Sequence, residues 1–285
     1  MRYYRYPSTD GDRLVVGADD GRYDLTAVKP DLRSFGDLAR AAAVTDAGVD
    51  EVAERLLDRA PSHDGTDAPR APEAEEVWAA GVTYGISEQA REAESGMPEM
   101  YLDVYEAERP EVFFKATPGR TVGPGRAIGV RGDADWNVPE PELGVVLHRG
   151  EIVGYTVGND VSSRDIEGAN PLYLPQAKVY DRCCSLGPCV ASPGTVGDPH
   201  DLTMSMTIAR DGEPVFEGST STGEMVRSCE ELVSYYTRHN AIPERAVLLT
   251  GTSIVPPDEF TLRAGDSVSI EIENVGTLEN SVVTV

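Results

Sequence analysis

Val138-Pro139-Glu140-Pro141-Glu142-Leu143-Gly144-Val145-Val146-Leu147 sets two carboxylates, two residues apart, at the entrance to an apolar run. The run reads as a strand entering a core, and residues two apart on a strand share one face. Glu140 and Glu142 are therefore aimed at the same place, where they repel unless something positive reconciles them. A second strand, Ile152–Gly158, ends in Asn159-Asp160. Three carboxylates with no nearby His or Cys describe a hard, oxygen-rich divalent site, suited to Mg²⁺ or Mn²⁺ and not to Zn²⁺. The competing reading is a Glu-x-Glu on a solvated strand face, which is commonplace in a chain with 49 acidic residues. The flanks weigh against it, because two prolines stiffen the approach and charge at the mouth of a buried strand is costly unless paired or coordinated.

The 285 residues suffice for one large core, or for a core plus a small appendage. No apolar run approaches the roughly 18–20 residues of a membrane span. Met1-Arg2-Tyr3-Tyr4-Arg5-Tyr6 lacks an apolar signal region, so a cytoplasmic protein is expected. Cys183, Cys184, Cys189 and Cys229 form neither a metal spacing nor a disulfide framework. The adjacent pair reads as small buried residues, with a reactive thiol as the alternative. A net charge of −24 argues against nucleic acid and anionic membranes as partners. Lys occurs only at positions 29, 115 and 178, every other cation being Arg. Such a surface suits a protein kept soluble in high salt, and a halophilic source is expected. It also singles out Lys115 and Lys178 for work that an untitratable Arg cannot do. Lys29, beside Pro30 in a polar stretch, reads as a surface survivor.

Residues 1–30 read as a small β unit, with strands at Tyr3–Tyr6, Arg13–Val16 and Tyr23–Val28. Residues 34–58 carry helical periodicity, and the Pro-, Asp- and Ser-rich stretch 61–75 reads as a linker. The expected division is a small α+β domain over 1–70 and a catalytic domain over 71–285. In the second domain, strands are expected at Val77–Val82, Val112–Lys115 and Ala127–Val130. A polar helix is expected over Ser87–Ser95 and a short helix over Glu230–Arg238. Arg210-Asp211-Gly212 signals a hairpin between Thr203–Ala209 and Val215–Gly218. Ala246–Val255, Ser267–Glu273 and Asn280–Val285 complete a mostly β pattern that suggests a mixed or antiparallel β-roll, not a doubly wound sheet.

Glu140-Pro-Glu142-Leu, Gly154-Tyr155, Asn159-Asp160-Val-Ser-Ser-Arg164-Asp165, Lys178, Gly187-Pro188 and Thr250-Gly251-Thr252 together resemble the fumarylacetoacetate hydrolase family, in order and spacing, across residues 77–285. Arg109-Pro110-Glu111 through Pro118, Trp136, and Ala169-Asn170-Pro171 through Gln176 are similar to the branch of that family that dehydrates 2-keto-3-deoxy-D-arabinonate or -xylonate. The resemblance implies a mixed β-roll with a small N-terminal domain, and homodimers or homotetramers. It implies a divalent ion, usually Mg²⁺, on Glu140, Glu142 and Asp160, with Lys178 and Glu111 facing the substrate, a small 2-keto-3-deoxy sugar acid. Arg164 and Thr252 match positions lining the substrate pocket or supporting the metal, and Lys115 is taken as a further substrate contact.

One departure bears on the reaction. Hydrolytic members commonly place a His, followed by a Glu, three residues after the Tyr matched here by Tyr84, as a pair that activates water, but this chain has Ser87 there. The water-activating dyad is absent, which favours dehydration to 2,5-dioxopentanoate over C–C hydrolysis. An acylpyruvate hydrolase, a 2-keto acid decarboxylase on the same metal platform, and a silent binding protein are the alternatives. The bland roles also stand: Glu111 as a partner for Arg109 or Lys115, Lys178 paired with Asp181 or Asp165, and Thr252 as a turn-stabilising hydroxyl.

Overall fold

In the computed structural model, which describes residues 1–18, 20–85 and 103–285, strands dominate. They are β1 (Arg2–Tyr6), β2 (Arg13–Ala18), β3 (Gly21–Asp24), β4 (Glu76–Gly81), β5 (Glu111–Ala116), β6 (Thr121–Val122), β7 (Ile128–Val130), β8 (Asn137–Val138) and β9 (Pro141–His148). The rest are β10 (Glu151–Asp160), β11 (Ser162–Ser163), β12 (Cys184–Ala191), β13 (Thr203–Arg210), β14 (Glu213–Ser221), β15 (Arg245–Leu249), β16 (Ser267–Ile272) and β17 (Gly276–Thr284). The helix expected over Ser87–Ser95 lies outside the described residues.

The larger sheet runs β3-β2-β1-β12-β10-β9-β15-β4-β5, and the smaller runs β14-β13-β16-β17-β7. The larger sheet rolls up. β6 follows β5 after the single helical turn Pro118–Arg120, yet pairs in parallel with β12 near the middle of the order. The edge that ends at β5 is thereby brought back over the strands that carry the carboxylates.

Alternation along β9 sorts its side chains between two cores. Leu143, Val145 and Leu147 join Tyr155 and Val157 of β10 against Met204, Met206, Ile270 and Leu278 of the smaller sheet. Val146 points the other way, into a cluster with Leu186, Val247, Leu249 and the helix residues Phe35 and Leu38. Glu142 shares the parity of Val146, so the carboxylates look into the rolled face.

Several expectations are refined. The periodic stretch 34–58 forms two helices, Phe35–Thr45 and Val49–Leu57. The first opens on a capping box between Ser34 and Asp37 and ends at Asp46 in the left-handed region. The strand expected over Tyr23–Val28 stops at Asp24, whose side chain accepts from the Ala27 N–H and caps a short helix, Leu25–Val28. The strand expected over Ala246–Val255 stops at Leu249, and the following turn serves the site. β1 pairs with β12, Tyr3 opposite Val190, so β1, β2 and β3 extend the main sheet. The hairpin at Asp211-Gly212 forms with both residues at positive φ, as a two-residue turn demands. All four cysteines are free and buried.

Candidate active site

Register brings the three carboxylates together. Gly158 lies opposite Glu142, and the Asp160 N–H donates to the Glu140 carbonyl at 2.9 Å. Asp160 is two residues beyond Gly158, so all three side chains share one face of the β9–β10 pair. Carboxylate oxygens of Glu140, Glu142 and Asp160 lie within 4.8 Å of one another, and none of the three residues is more than 6% exposed.

The opposing charge comes from cations that the chain brings over the face. The Lys178 ammonium, at the end of the helix Leu174–Lys178, lies 2.7 Å from Glu140 Oε2 and 3.3 Å from Asp160 Oδ2, and donates to Ser162 Oγ at 2.6 Å. Arg164 Nη2 is 3.0 Å from Glu140 Oε1. Lys178 therefore pairs with site carboxylates; Asp165 instead accepts from the Asp135 N–H, and Asp181 meets Arg182. Glu142 takes its donor from the backbone, with the Gly251 N–H 2.6 Å from Oε2. That contact explains the early end of β15. Gly251 sits at φ 85°, where an added Cβ would fall 2.2 Å from Thr83 Oγ1.

Lys115 corrects an expectation. A substrate contact must reach the cavity, but Lys115 has no exposed surface. Its ammonium pairs with Asp160 Oδ1 and donates to the carbonyls of Val161, at 2.9 Å, and Lys178. It stands beneath the site as a strut joining β5, β10 and the Lys178 helix.

These surroundings separate the carboxyl groups electrostatically. Burial raises the pKa of Glu140, but Lys178 and Arg164 outweigh it and hold the group down at about 2. Burial, reinforced by Asp160 and Glu140, pushes Glu142 well up. Burial, opposed by Lys178 and reinforced by Glu167, Glu140 and Asp160, pushes Glu111 up to about 7. Burial disfavours the charge on Lys178, yet Asp160 and Glu140 keep it firmly cationic.

A cavity of about 300 Å³ opens onto this cluster, with Glu111, Phe113, Arg164, Glu167, Lys178 and Thr252 among its walls. Glu111 lies across Gly81, where a Cβ would fall 2.0 Å from Oε2. Val82 then turns the chain at φ 54°, a conformation rare for a β-branched residue. Thr252 lines the cavity while its hydroxyl accepts from the Ile254 N–H at 3.1 Å, so its turn role is realised. Arg109 lies over the Tyr235 ring. Glu167 was not anticipated as a site residue: it lines the cavity, and its buried Oε2 has no hydrogen-bond partner. The available signal was helical spacing, since Glu167 is three residues beyond Arg164 on one helix.

The donor set fits a hard dication. Asp160 Oδ2 is buried and accepts no hydrogen bond, although the Lys178 ammonium lies 3.3 Å away. Oxygen-only ligation with spare acceptor capacity suits Mg²⁺ or Mn²⁺.

Comparison with known proteins follows the same lines. Residues 76–283 match the profile of the fumarylacetoacetate (FAA) hydrolase C-terminal domain. The chain is 63% identical, over the whole of both chains, to a probable 2-keto-3-deoxyxylonate dehydratase of Haloferax volcanii. It is 46% identical to a 2-dehydro-3-deoxy-D-arabinonate dehydratase of Saccharolobus solfataricus, over 71% of this chain and 70% of that one. A solved structure of 2-keto-3-deoxy-D-arabinonate dehydratase complexed with magnesium and 2,5-dioxopentanoate superposes with a TM-score of 0.85 at 34% identity, covering 100% of this chain and 99% of that one.

Proposed function

This chain belongs to the fumarylacetoacetate hydrolase family, and on that footing we propose that it is a hydro-lyase converting 2-keto-3-deoxy-D-pentonate, arabinonate or xylonate, to 2,5-dioxopentanoate. Mg²⁺ or Mn²⁺ is its cofactor, held by Glu140, Glu142 and Asp160. The observation that carries the reading is the buried carboxylate trio at the floor of a cavity walled by Lys178 and a carboxyl raised to about 7.

The dehydration removes a hydrogen from C3 and the hydroxyl from C4 as one water. Hydrogens then return to C3 and C4 while the C5 alcohol becomes an aldehyde. A bound dication supplies Lewis-acid polarisation of the 2-keto acid, whose carboxylate and keto oxygens form a chelating pair. Glu111 serves as the acid–base group, because a carboxyl near neutrality can both take the C3 proton and return it. Lys178, held cationic, offsets negative charge developing on the keto oxygen. Arg164 and Thr252 orient the acid from the cavity wall. The missing His three residues after Tyr84 supports elimination over hydrolysis.

The direct test follows semialdehyde formation from 2-keto-3-deoxy-pentonate by the purified protein. Turnover should require a dication, stop in EDTA and return with Mg²⁺. Full activity in the metal-free protein would refute the scheme, and release of CO₂ or pyruvate in place of the semialdehyde would reassign the reaction. A homodimer or homotetramer is the expected assembly, to be read by light scattering.

A further inference from the structure

We infer that Lys115, with Arg164 and the Gly251 N–H, fixes how many oxygens the carboxylate cluster can offer, and so selects a small six-coordinate dication over Ca²⁺. The inference rests on the proposed metal site and concerns the ion's identity. Lys178 aside, each carboxylate has one oxygen held by a cationic group or a backbone N–H. Asp160 Oδ1 is paired with Lys115, Glu140 Oε1 lies 3.0 Å from Arg164 Nη2, and Glu142 Oε2 accepts from the Gly251 N–H at 2.6 Å. One further oxygen per side chain remains: Asp160 Oδ2, Glu140 Oε2 and Glu142 Oε1.

Of these donors, Lys115 is the most firmly held. Its ammonium donates to the Val161 and Lys178 carbonyls, which anchor it, and forms an ion pair with Asp160 Oδ1. It has no exposed surface, so no water can take its place. Lys178 differs. It touches Glu140 Oε2 and Asp160 Oδ2, the remaining oxygens of those two groups, and it lines the cavity. An incoming dication competes with Lys178 for those oxygens but leaves Lys115 undisturbed.

Denticity matters because the two classes of ion want different shells. Ca²⁺ takes six to eight oxygens and readily uses carboxylates in bidentate fashion, whereas Mg²⁺ demands near-octahedral geometry and retains water. Three carboxylates restricted to one oxygen each satisfy the second and starve the first.

The test compares binding, not turnover. The wild type and Lys115→Met are titrated calorimetrically with Mg²⁺ and with Ca²⁺, and the ratio of the two affinities is compared. Loss of a nearby positive charge affects both ions alike and cancels in the ratio, as does any general loosening of the fold. The wild type should prefer Mg²⁺, and Lys115→Met should lose on the order of 10-fold of that preference as Asp160 becomes free to chelate, the scale expected for changing a ligand's outer partner. An unchanged ratio would overturn the inference. If Lys115→Met does not fold, Arg164→Gln frees a Glu140 oxygen from a partly exposed position, and the same fall is required of it. A wild type that binds neither ion would sink the proposed metal site itself, a failure distinct from an unchanged ratio.

Discussion

At the scale of single residues, the site depends on groups held away from their ordinary protonation state. Glu111 is raised from 4.5 to about 7, first by burial. As the base it must be ionised, so kcat/KM should climb with pH through about 7, and through a lower value once a dication adds positive charge nearby. Glu111→Gln should abolish that limb and cost about 10²–10⁴-fold in kcat. The same shift has a stability signature. A carboxyl whose folded pKa exceeds its unfolded value destabilises the fold progressively as pH rises from about 4 to 7. The metal-free Gln variant should therefore melt higher than the parent at pH 8 (about one unit above that window) and no higher at pH 4. Equal melting at both pH values would deny the burial argument. Gly81→Ala probes position. Its new Cβ would collide with the tip of Glu111, a mobile group, so the melting temperature should barely change. The carboxylate must move by an ångström or more, and such a displacement can cost about 10²-fold in rate. An unaltered kcat would show that Glu111 does not act where it lies.

At the scale of elements, legibility followed locality. The Glu-x-Glu strand, its partner ending in Asp160, and the Asp211-Gly212 hairpin were readable because alternation and turn chemistry are written within a few residues. β12 carried no such signal: it is buried almost throughout and interrupted by Gly187-Pro188, so it neither alternates nor runs unbroken. The two lysines that the Arg-rich background made conspicuous, Lys115 and Lys178, are buried beside the carboxylates, while Lys29 is exposed. The role of Lys115 was not readable, because its partners sit on β10 and the Lys178 helix and meet it only when the sheet rolls up. Glu167 was missed for the same reason, its surroundings being set by tertiary structure. Local signals also support elements remote from the chemistry. Ser34 caps the helix Phe35–Thr45, which packs Phe35 and Leu38 into the second core. Ser34→Ala should cost about 0.5–2 kcal/mol, seen as a fall of a few degrees in melting temperature, with Mg²⁺ affinity unchanged. A weakened metal site in that variant would mean the N-terminal helices are coupled to the carboxylates.

At the scale of the whole molecule, net charge and ion pairing pull in opposite directions with salt. The chain carries −24, and its acidic residues are spread along its length. It also places many cations against them: Arg40 and Arg149 share Glu244, and Arg5 and Arg245 share Glu73. Such links join the N-terminal helices and strands to the edge of β15. Salt weakens those pairs, but each exposed pair contributes only about 0–1 kcal/mol. The surplus of 24 negative charges repels over every distance shorter than the Debye length, about 10 Å at 0.1 M and about 3 Å at 1 M. Unpaired repulsion therefore outweighs the lost pairs, and dilution should destabilise the protein. The melting temperature should fall steadily as KCl is lowered from about 3 M to about 0.1 M, and Mg²⁺ should recover only part of the loss, since it relieves one buried cluster and leaves the surface as it was. Acidification in low salt offers a control of opposite sign. Moderate protonation of surface carboxylates, well above the low range in which Glu244 is held at about 2 by Arg40, should restore stability by reducing the same repulsion. A melting temperature indifferent to KCl, or one that rises on dilution, would mean that the Arg–carboxylate links and not net charge govern the surface.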